Sequence, residues 1–172
     1  MKIVVADAVY LEEQHVKRLR SIGDVKIFED IPKTPNELKE RIKEADIAIV
    51  GWSHLTEDIL NSAEKLKMVS IWATTCHYVN RGAARKKGIA VTHVPGYATE
   101  SVAEHVFALL LASIRKLPSA DKHVKRGEFD WRPFRGWELA GKTVGIIGIG
   151  AIGCRVAEIG KAFKMKILAF DK

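Results

Sequence analysis

A chain of 172 residues holds one ordinary domain or one and a half small ones. Its 47% hydrophobic and 28% charged content is that of a soluble globular protein, and no apolar run approaches the roughly 20 residues that span a bilayer. A net charge of +7 raises nucleic acid as a partner, but the lysines and arginines are scattered and bring no helix-turn-helix, zinc-finger or RNA-binding signature; a basic surface that steers an anionic substrate or cofactor is expected instead.

The first apolar run, Lys2–Ala6, is too short for a signal peptide and meets Asp7 at once, so a cytoplasmic protein with no membrane partner is expected. Short β-branched runs at Ile3–Ala6, Val25–Phe28, Ile47–Val50, Val69–Trp72 and Ile89–Val94 read as parallel strands buried on both faces. Helical segments fall between them. Thr34-Pro35-Asn36-Glu37 predicts a helix start, with Thr34 as cap, Pro35 at the first helical position and Glu37 closing a capping box. Thr56 predicts a second start, with Glu57 and Asp58 in the electropositive first turn. Gly23 and Gly88 stand where helices should end. The alternation predicts an α/β fold: a flavodoxin-like, five-stranded parallel sheet in the order 2-1-3-4-5 with helices on both faces.

Pro95-Gly96 breaks the alternation. A long helix is predicted to begin near Thr99 or Ser101, where Ser101-Val-Ala-Glu104 fits a capping box, and to end at Pro118. Val102, Val106, Phe107, Leu109, Leu110, Leu111 and Ile114 cover most of its circumference, which predicts burial on nearly all sides. From Ser119 to Leu139 the chain reads as an irregular basic arm carrying Trp131, Phe134 and Trp137. Those aromatics suit docking on a second subunit or covering their own domain.

The informative segment is Thr143-Val-Gly-Ile-Ile-Gly148-Ile-Gly150-Ala151-Ile152-Gly153. A lone GxGxxG string is weak evidence, but here it follows an apolar strand, Val144–Ile147, and opens an amphipathic helix. A second strand, Ile167–Phe170, then ends at Asp171, eighteen residues after Gly153. Gly148 permits the tight turn, Gly150 lets a pyrophosphate approach the backbone, and Gly153 allows close helix–strand packing. The helix start at Ala151 and Ile152 offers free N–H groups and the positive end of the dipole. Asp171 can accept hydrogen bonds from adenosine ribose hydroxyls and would repel a 2′-phosphate, so NAD is the expected cofactor, in preference to NADP.

These residues resemble those of the D-isomer-specific 2-hydroxyacid dehydrogenases. The likeness covers essentially the whole chain and is carried by Leu139–Gly153 and by Val94-Pro-Gly-Tyr-Ala-Thr-Glu-Ser-Val-Ala-Glu104. It implies a substrate domain over residues 1–94 and, over 95–172, the first part of an NAD-binding Rossmann domain. It further implies a homodimer formed through the 101–117 helix and the 119–139 arm, and a small 2-keto or 2-hydroxy acid as substrate. The family's substrate loop corresponds to Ala73-Thr74-Thr75-Cys76-His77-Tyr78-Val79-Asn80. Thr74 matches a position near cofactor and substrate, Thr75 replaces the usual glycine, and Thr75 and Cys76 are expected at the substrate. Val50-Gly51 stands where phosphoglycerate-specific members often carry an Arg-Ser pair.

Cys76 beside His77 resembles a nucleophile–base pair, but adjacent side chains point apart and no third residue orients them. His54, His93 and His105 lack metal-ligand spacing, and Cys154 is expected to pack. The family's catalytic Arg, Glu and His find no match before Lys172, so no catalytic residue is assigned within the chain, which is expected to be a fragment of the dehydrogenase, inactive by itself. The competing expectation is a non-catalytic binding or assembly module derived from the same family.

Overall fold

The computed structural model describes residues 1–172, which divide into two compact units, Met1–Pro95 and Gly96–Lys172. In the first, strands β1 (Lys2–Val5), β2 (Asp24–Ile27), β3 (Ile47–Val50), β4 (Met68–Ile71) and β5 (Ala90–Thr92) alternate with helices α1 (Glu13–Arg20), α2 (Pro35–Ile42), α3 (Glu57–Ser62) and α4 (Arg81–Lys86). The sheet is wholly parallel in the order β2-β1-β3-β4-β5, with Ile3 opposite Val25 and Ile47, and Val69 opposite Val91. The 2-1-3-4-5 order is the expected one.

The two sheet faces are covered unevenly. Leu38 and Ile42 of α2, Ile59 and Leu60 of α3 and Ala83 and Ala84 of α4 close over Val4, Ala48, Val50, Val69 and Ile71, and all of these are buried. The opposite face carries α1, none of whose residues is fully buried, and beside it an open groove of about 670 Å³ lined by Leu11, Leu19, Ile22, Ile49 and Val94. The caps are made by short polar side chains. Thr34 Oγ1 accepts from Glu37 N–H at 3.2 Å, and Glu37 Oε2 accepts from Lys33 N–H at 2.8 Å, one residue earlier than a capping box requires. Thr56 caps α3 and Asn80 Oδ1 caps α4, accepting from Ala83 N–H at 3.0 Å. Gly88 ends α4 at φ +69. Gly23 has no left-handed backbone; a Cβ there would lie 2.5 Å from the Met1 carbonyl oxygen, so its role is close approach to β1.

The second unit contains α5 (Thr99–Ile114), α6 (Leu117–Lys125), β6 (Thr143–Ile147), α7 (Ala151–Ala162) and β7 (Lys166–Phe170). Three readings need correction here. The turn at Gly96, φ +75, feeds directly into α5, so the helix starts at Thr99 and Ser101 does not cap; its hydroxyl donates to the Ala98 carbonyl at 3.2 Å. Pro118 does not end α5, which stops at Ile114; it sits in the first turn of α6, where proline's missing N–H costs nothing, so the first seven residues of the supposed irregular arm, 119–125, are helical. Nor is α5 buried all round: only Ala103 and Phe107 are buried, and Leu109 is 60% exposed. The core of this unit is Phe107, Leu139, Val156 and Met165, with the Phe107 and Phe163 rings stacked at 5.4 Å. β6 and β7 pair in parallel from Thr143↔Lys166 to Ile147↔Phe170. One face of this ribbon meets α5 and α7 through Val144, Ile146 and Ile167, while Ile147, Leu168 and Phe170 on the other are open.

Candidate functional site

The glycine turn between β6 and α7 brings its predicted residues together. Gly148 has φ +95, a conformation that L side chains avoid, and its N–H donates to the Phe170 carbonyl at 2.8 Å, which ties the turn to the end of β7. Gly153 lies so close behind the turn that a Cβ would collide with the Gly148 carbonyl oxygen. At Gly148 and Gly150, by contrast, a Cβ would meet nothing within 4 Å. The space above the turn is therefore open. Gly150 is the N-cap of α7 and supplies no side-chain cap; the first bond of the helix is Cys154 N–H to Gly150 C=O at 2.9 Å. The N–H groups of Ala151, Ile152 and Gly153 precede that bond and point out of the helix end, as an anion site requires.

Asp171 stands across the same turn. Its Oδ2 accepts from Ile149 N–H at 2.7 Å and its Oδ1 from Lys172 N–H at 2.8 Å. The Ile149 bond first, and the Lys172 bond after it, hold its carboxyl below the ordinary aspartate value. A carboxylate has about four acceptor sites, so two remain for ribose hydroxyls. Open space over two glycines, three free N–H groups and an ionised acceptor at the end of the second strand fit the adenosine and pyrophosphate half of a dinucleotide. Cys154 donates its thiol to the Ile149 carbonyl at 3.2 Å and is exposed; it braces the turn where core packing was expected.

The other predicted residues lie at the carboxyl edge of the five-stranded sheet, where open α/β sheets bind ligands. Thr74, Thr75 and Cys76 follow β4 and are half-buried. Thr75 Oγ1 accepts from His77 N–H at 3.1 Å and contacts His77 Nδ1 at 2.5 Å. His77 is thus engaged with Thr75, while Cys76 packs against the core, so the two do not form a nucleophile–base pair. The His54 ring meets Tyr78 at 5.1 Å, and no cluster of three or more His, Cys, Asp or Glu side chains could hold a metal. The one histidine paired with a carboxylate, His123 on Glu128 at 2.9 Å, also accepts from Asp130 N–H through Nε2. Both of its nitrogens are committed, which makes it a brace for the arm.

Two residues were missed by sequence reasoning. Asp7, fully buried at the end of β1, accepts from the N–H groups of Gly51, Trp52 and Ser53 at 2.7–3.0 Å. The signal was present as a lone aspartate closing a β-branched run at the strand where the sheet order reverses. Arg41, buried on α2, donates to the Ala6 and Asp30 carbonyls and to the Asp30 and Glu37 carboxylates, with Phe28 against its guanidinium. Its one local signal is Glu37, four residues earlier on the same helix, a spacing that marks an ordinary surface pair and gives no hint of burial.

An α/β sheet unit followed by a β-Gly-turn-α-β unit ending in an acid defines the class of dinucleotide-linked α/β proteins. The family described as D-isomer specific 2-hydroxyacid dehydrogenase, catalytic domain, matches residues 3–163, and the chain belongs to it. It is 40% identical over 172 residues to a D-3-phosphoglycerate dehydrogenase of Methanocaldococcus jannaschii, covering 99% of this chain and 32% of that protein. An acyclic imino acid reductase solved with NADPH and D-Arg superposes with a TM-score of 0.86 at 37% identity, over 100% of this chain and 56% of the other. D-lactate dehydrogenase of Aquifex aeolicus, solved with NAD and lactic acid, gives 0.81 at 31% identity, over 99% and 51%. The chain thus spans about a third to about half the length of these relatives.

Proposed function

We propose that this chain is the substrate-binding part and the phosphate-binding βαβ unit of an NAD-dependent oxidoreductase that interconverts a 2-keto acid and a D-2-hydroxy acid. The observation that carries the reading is the open glycine turn with Asp171 across it. In it the N–H groups of Ala151, Ile152 and Gly153 hold the pyrophosphate, Asp171 accepts the adenosine ribose hydroxyls, and Gly153 keeps the helix close enough to aim its N-terminus. NAD, when bound, supplies the hydride acceptor. Residues 1–94 receive the acid, with Thr74, Thr75 and Cys76 at the carboxyl edge of β4, and residues 95–172 begin the NAD-binding domain. The cation and the proton donor such a reaction needs are supplied from outside this chain. The protein works in the cytoplasm as a homodimer; the exposed Leu109 of α5 and Trp131 and Trp137 of the arm support that contact.

The relative solved with NADPH makes the cofactor a real choice, and Asp171 decides it for NAD through its charge. The test is a titration of ¹⁵N-labelled chain with NAD, reading the amides of Ala151, Ile152 and Gly153. Saturable shifts that vanish in Gly150→Val support the reading; unchanged amides at millimolar NAD would overturn it. The exposed arm and the open ribbon face also favour a second reading, an assembly module, which predicts self-association without any response to NAD.

A further inference from the structure

The arm that follows α5 closes on one side chain. His123, near the end of α6, has its ring only 19% exposed. Its Nε2 accepts from Asp130 N–H at 3.1 Å, and its Nδ1 lies 2.9 Å from Glu128 Oε2. The Phe134 ring stands 5.0 Å away, tilted by 55°. The His123 carbonyl also accepts from the N–H groups of Arg126 and Glu128. These contacts fix the tautomer. A backbone N–H can only donate, so Nε2 carries a lone pair and the ring proton sits on Nδ1, where it donates to Glu128. The ring that satisfies both partners is therefore the neutral one.

Asp130 passes this hold along the arm. Its Oδ1 accepts from Arg132 N–H at 3.0 Å and from Arg132 Nε at 2.8 Å, and its Oδ2 from Nη2 at 3.0 Å. Those bonds start the short 3-10 turn Arg132–Phe134, and the exposed Phe129 and Trp131 stand beside it. A proton added at Nε2 would set two donors face to face. The bond to Asp130 is then lost, and its part-buried N–H has no acceptor. Glu128 keeps its bond in either form; its side chain is 54% exposed, so water screens the added attraction to an imidazolium. The other charges around the ring are committed. Lys116 Nζ donates to the Pro133 carbonyl at 2.9 Å, and the Arg135 guanidinium lies over the Trp131 ring. On α5, Glu100 is paired with Arg155, and no charged group of that helix pairs with His123. The Asp130 carboxylate can accept from a charged ring only by letting go of Arg132, which undoes the turn.

We infer that His123 is a pH-sensitive latch: its neutral ring holds the Phe129–Phe134 segment in the shape that meets a second copy of the chain, and its protonation lets that segment go. The inference rests on the proposed function for the partner, a homodimer through the arm. Imidazole changes charge between about pH 5 and 8, so the latch is closed at the upper end of that range and open at the lower. The experiment uses the ¹⁵N,¹³C-labelled 172-residue chain between pH 8 and 5. One arm follows the His123 ring carbons and the Asp130 amide by NMR; the other measures the dimer Kd by analytical ultracentrifugation. The Asp130 amide should move with the same midpoint as the His123 ring, and the dimer Kd should weaken about three- to tenfold across it, the factor that one neutral hydrogen bond supplies. His123→Gln places a carbonyl oxygen that does not titrate near the position of Nε2, so in this variant both readouts should stay flat. An Asp130 amide that ignores the His123 midpoint, or one that still moves in His123→Gln, overturns the latch. Should His123→Gln fail to fold, the wild-type midpoints decide alone. A dimer Kd that stays constant while Asp130 moves overturns the link to assembly. If the chain is monomeric at every pH, the homodimer of the proposed function fails, while the Asp130 amide still decides whether His123 holds the arm.

Discussion

Gly150→Ser should raise the stability of the second unit while weakening its hold on NAD. Gly150 has φ −70 and ψ −167, an extended conformation open to any residue, and its Cβ position is empty to 4 Å. A serine hydroxyl there would accept from Ile152 or Gly153 N–H and cap α7. Serine is a better N-cap than glycine by a few tenths of a kcal/mol, which for a unit of this size is a rise of about 1–3 °C in Tm. The same hydroxyl fills the space over the turn and consumes a donor meant for phosphate. Losing one charge-assisted hydrogen bond is worth roughly 1.5–3 kcal/mol, or about ten- to a hundredfold in Kd. Gly153→Ala should act in the opposite direction on stability. Its Cβ collides with the Gly148 carbonyl, a backbone atom that no rotamer change can move. Overpacking of that kind costs about 1–3 kcal/mol, offset in part by up to about 1 kcal/mol of alanine's helix propensity. A net loss of about 1–2 kcal/mol should lower the Tm of the unit by about 4–16 °C and distort the phosphate turn as well. Thermal melts followed by circular dichroism, with calorimetric titration of NAD into both variants, measure the two effects apart. If Gly150→Ser melts higher and binds NAD as the wild type does, the pyrophosphate does not approach Gly150. If Gly153→Ala matches the wild type in both, the close packing behind the turn is irrelevant.

Asp171→Ser should bring the Kd values for NAD and NADP together by removing the charge that opposes a 2′-phosphate; an unchanged ratio in parallel titrations rejects that role. Acid should destabilise the first unit: hydrogen bonds from Lys67 and Lys2 on Asp46, from Lys33 and Arg41 on Glu37, and from Arg41 on Asp30 lower these carboxyls below their ordinary values of 3.8 for aspartate and 4.5 for glutamate. Their contribution is complete above that range and is lost as pH falls through the lowered values, so urea midpoints should be flat from pH 7 to about 5 and decline below about 4. Light scattering at micromolar concentration should give a dimer or larger assembly that Leu109→Lys weakens; a clean wild-type monomer contradicts the proposed contact. Finally, the chain supplied with NADH and glyoxylate, hydroxypyruvate or pyruvate should show no oxidation above blank. General acid–base help is worth about 10²–10⁴-fold and no histidine here is both free and oriented by a carboxylate. Steady turnover abolished by Gly150→Val would point to His77 or His93.

Where a residue acts through its local chain, the sequence was legible. β-branched runs became the five strands within one or two residues, Thr34 and Thr56 cap the helices they precede, and the glycine spacing marks the turn at Gly148. Where a residue acts across sequence distance, it was not. The Asp7 carboxylate meets amides more than forty positions away, and Arg41 gathers acceptors from Ala6 and Asp30 besides its helix neighbour Glu37; the distant partners leave no local pattern. The α5 reading failed for a related reason. Apolar residues around a helix report that it will be covered, without saying whether the cover belongs to the same chain. The arm misled because proline both ends helices and starts them, and only the left-handed Lys116 at φ 52 shows that Pro118 opens α6.

The two units make contrasting use of one piece of chemistry. Each ends parallel strands in a loop whose backbone N–H groups converge on a point, and such a point attracts negative charge. In the first unit the chain answers that demand itself: Asp7 takes all three donors and holds the loop in place. In the second unit the chain answers only in part. Asp171 takes the Ile149 N–H and sits at the rim, leaving those of Ala151, Ile152 and Gly153 free over two glycines with nothing above them. An unpaired N–H at a helix end is costly to cover and useful when a ligand covers it. The arrangement therefore separates a loop whose amides are closed from one whose amides are open, and the difference is made by where a single aspartate stands relative to the amides it faces.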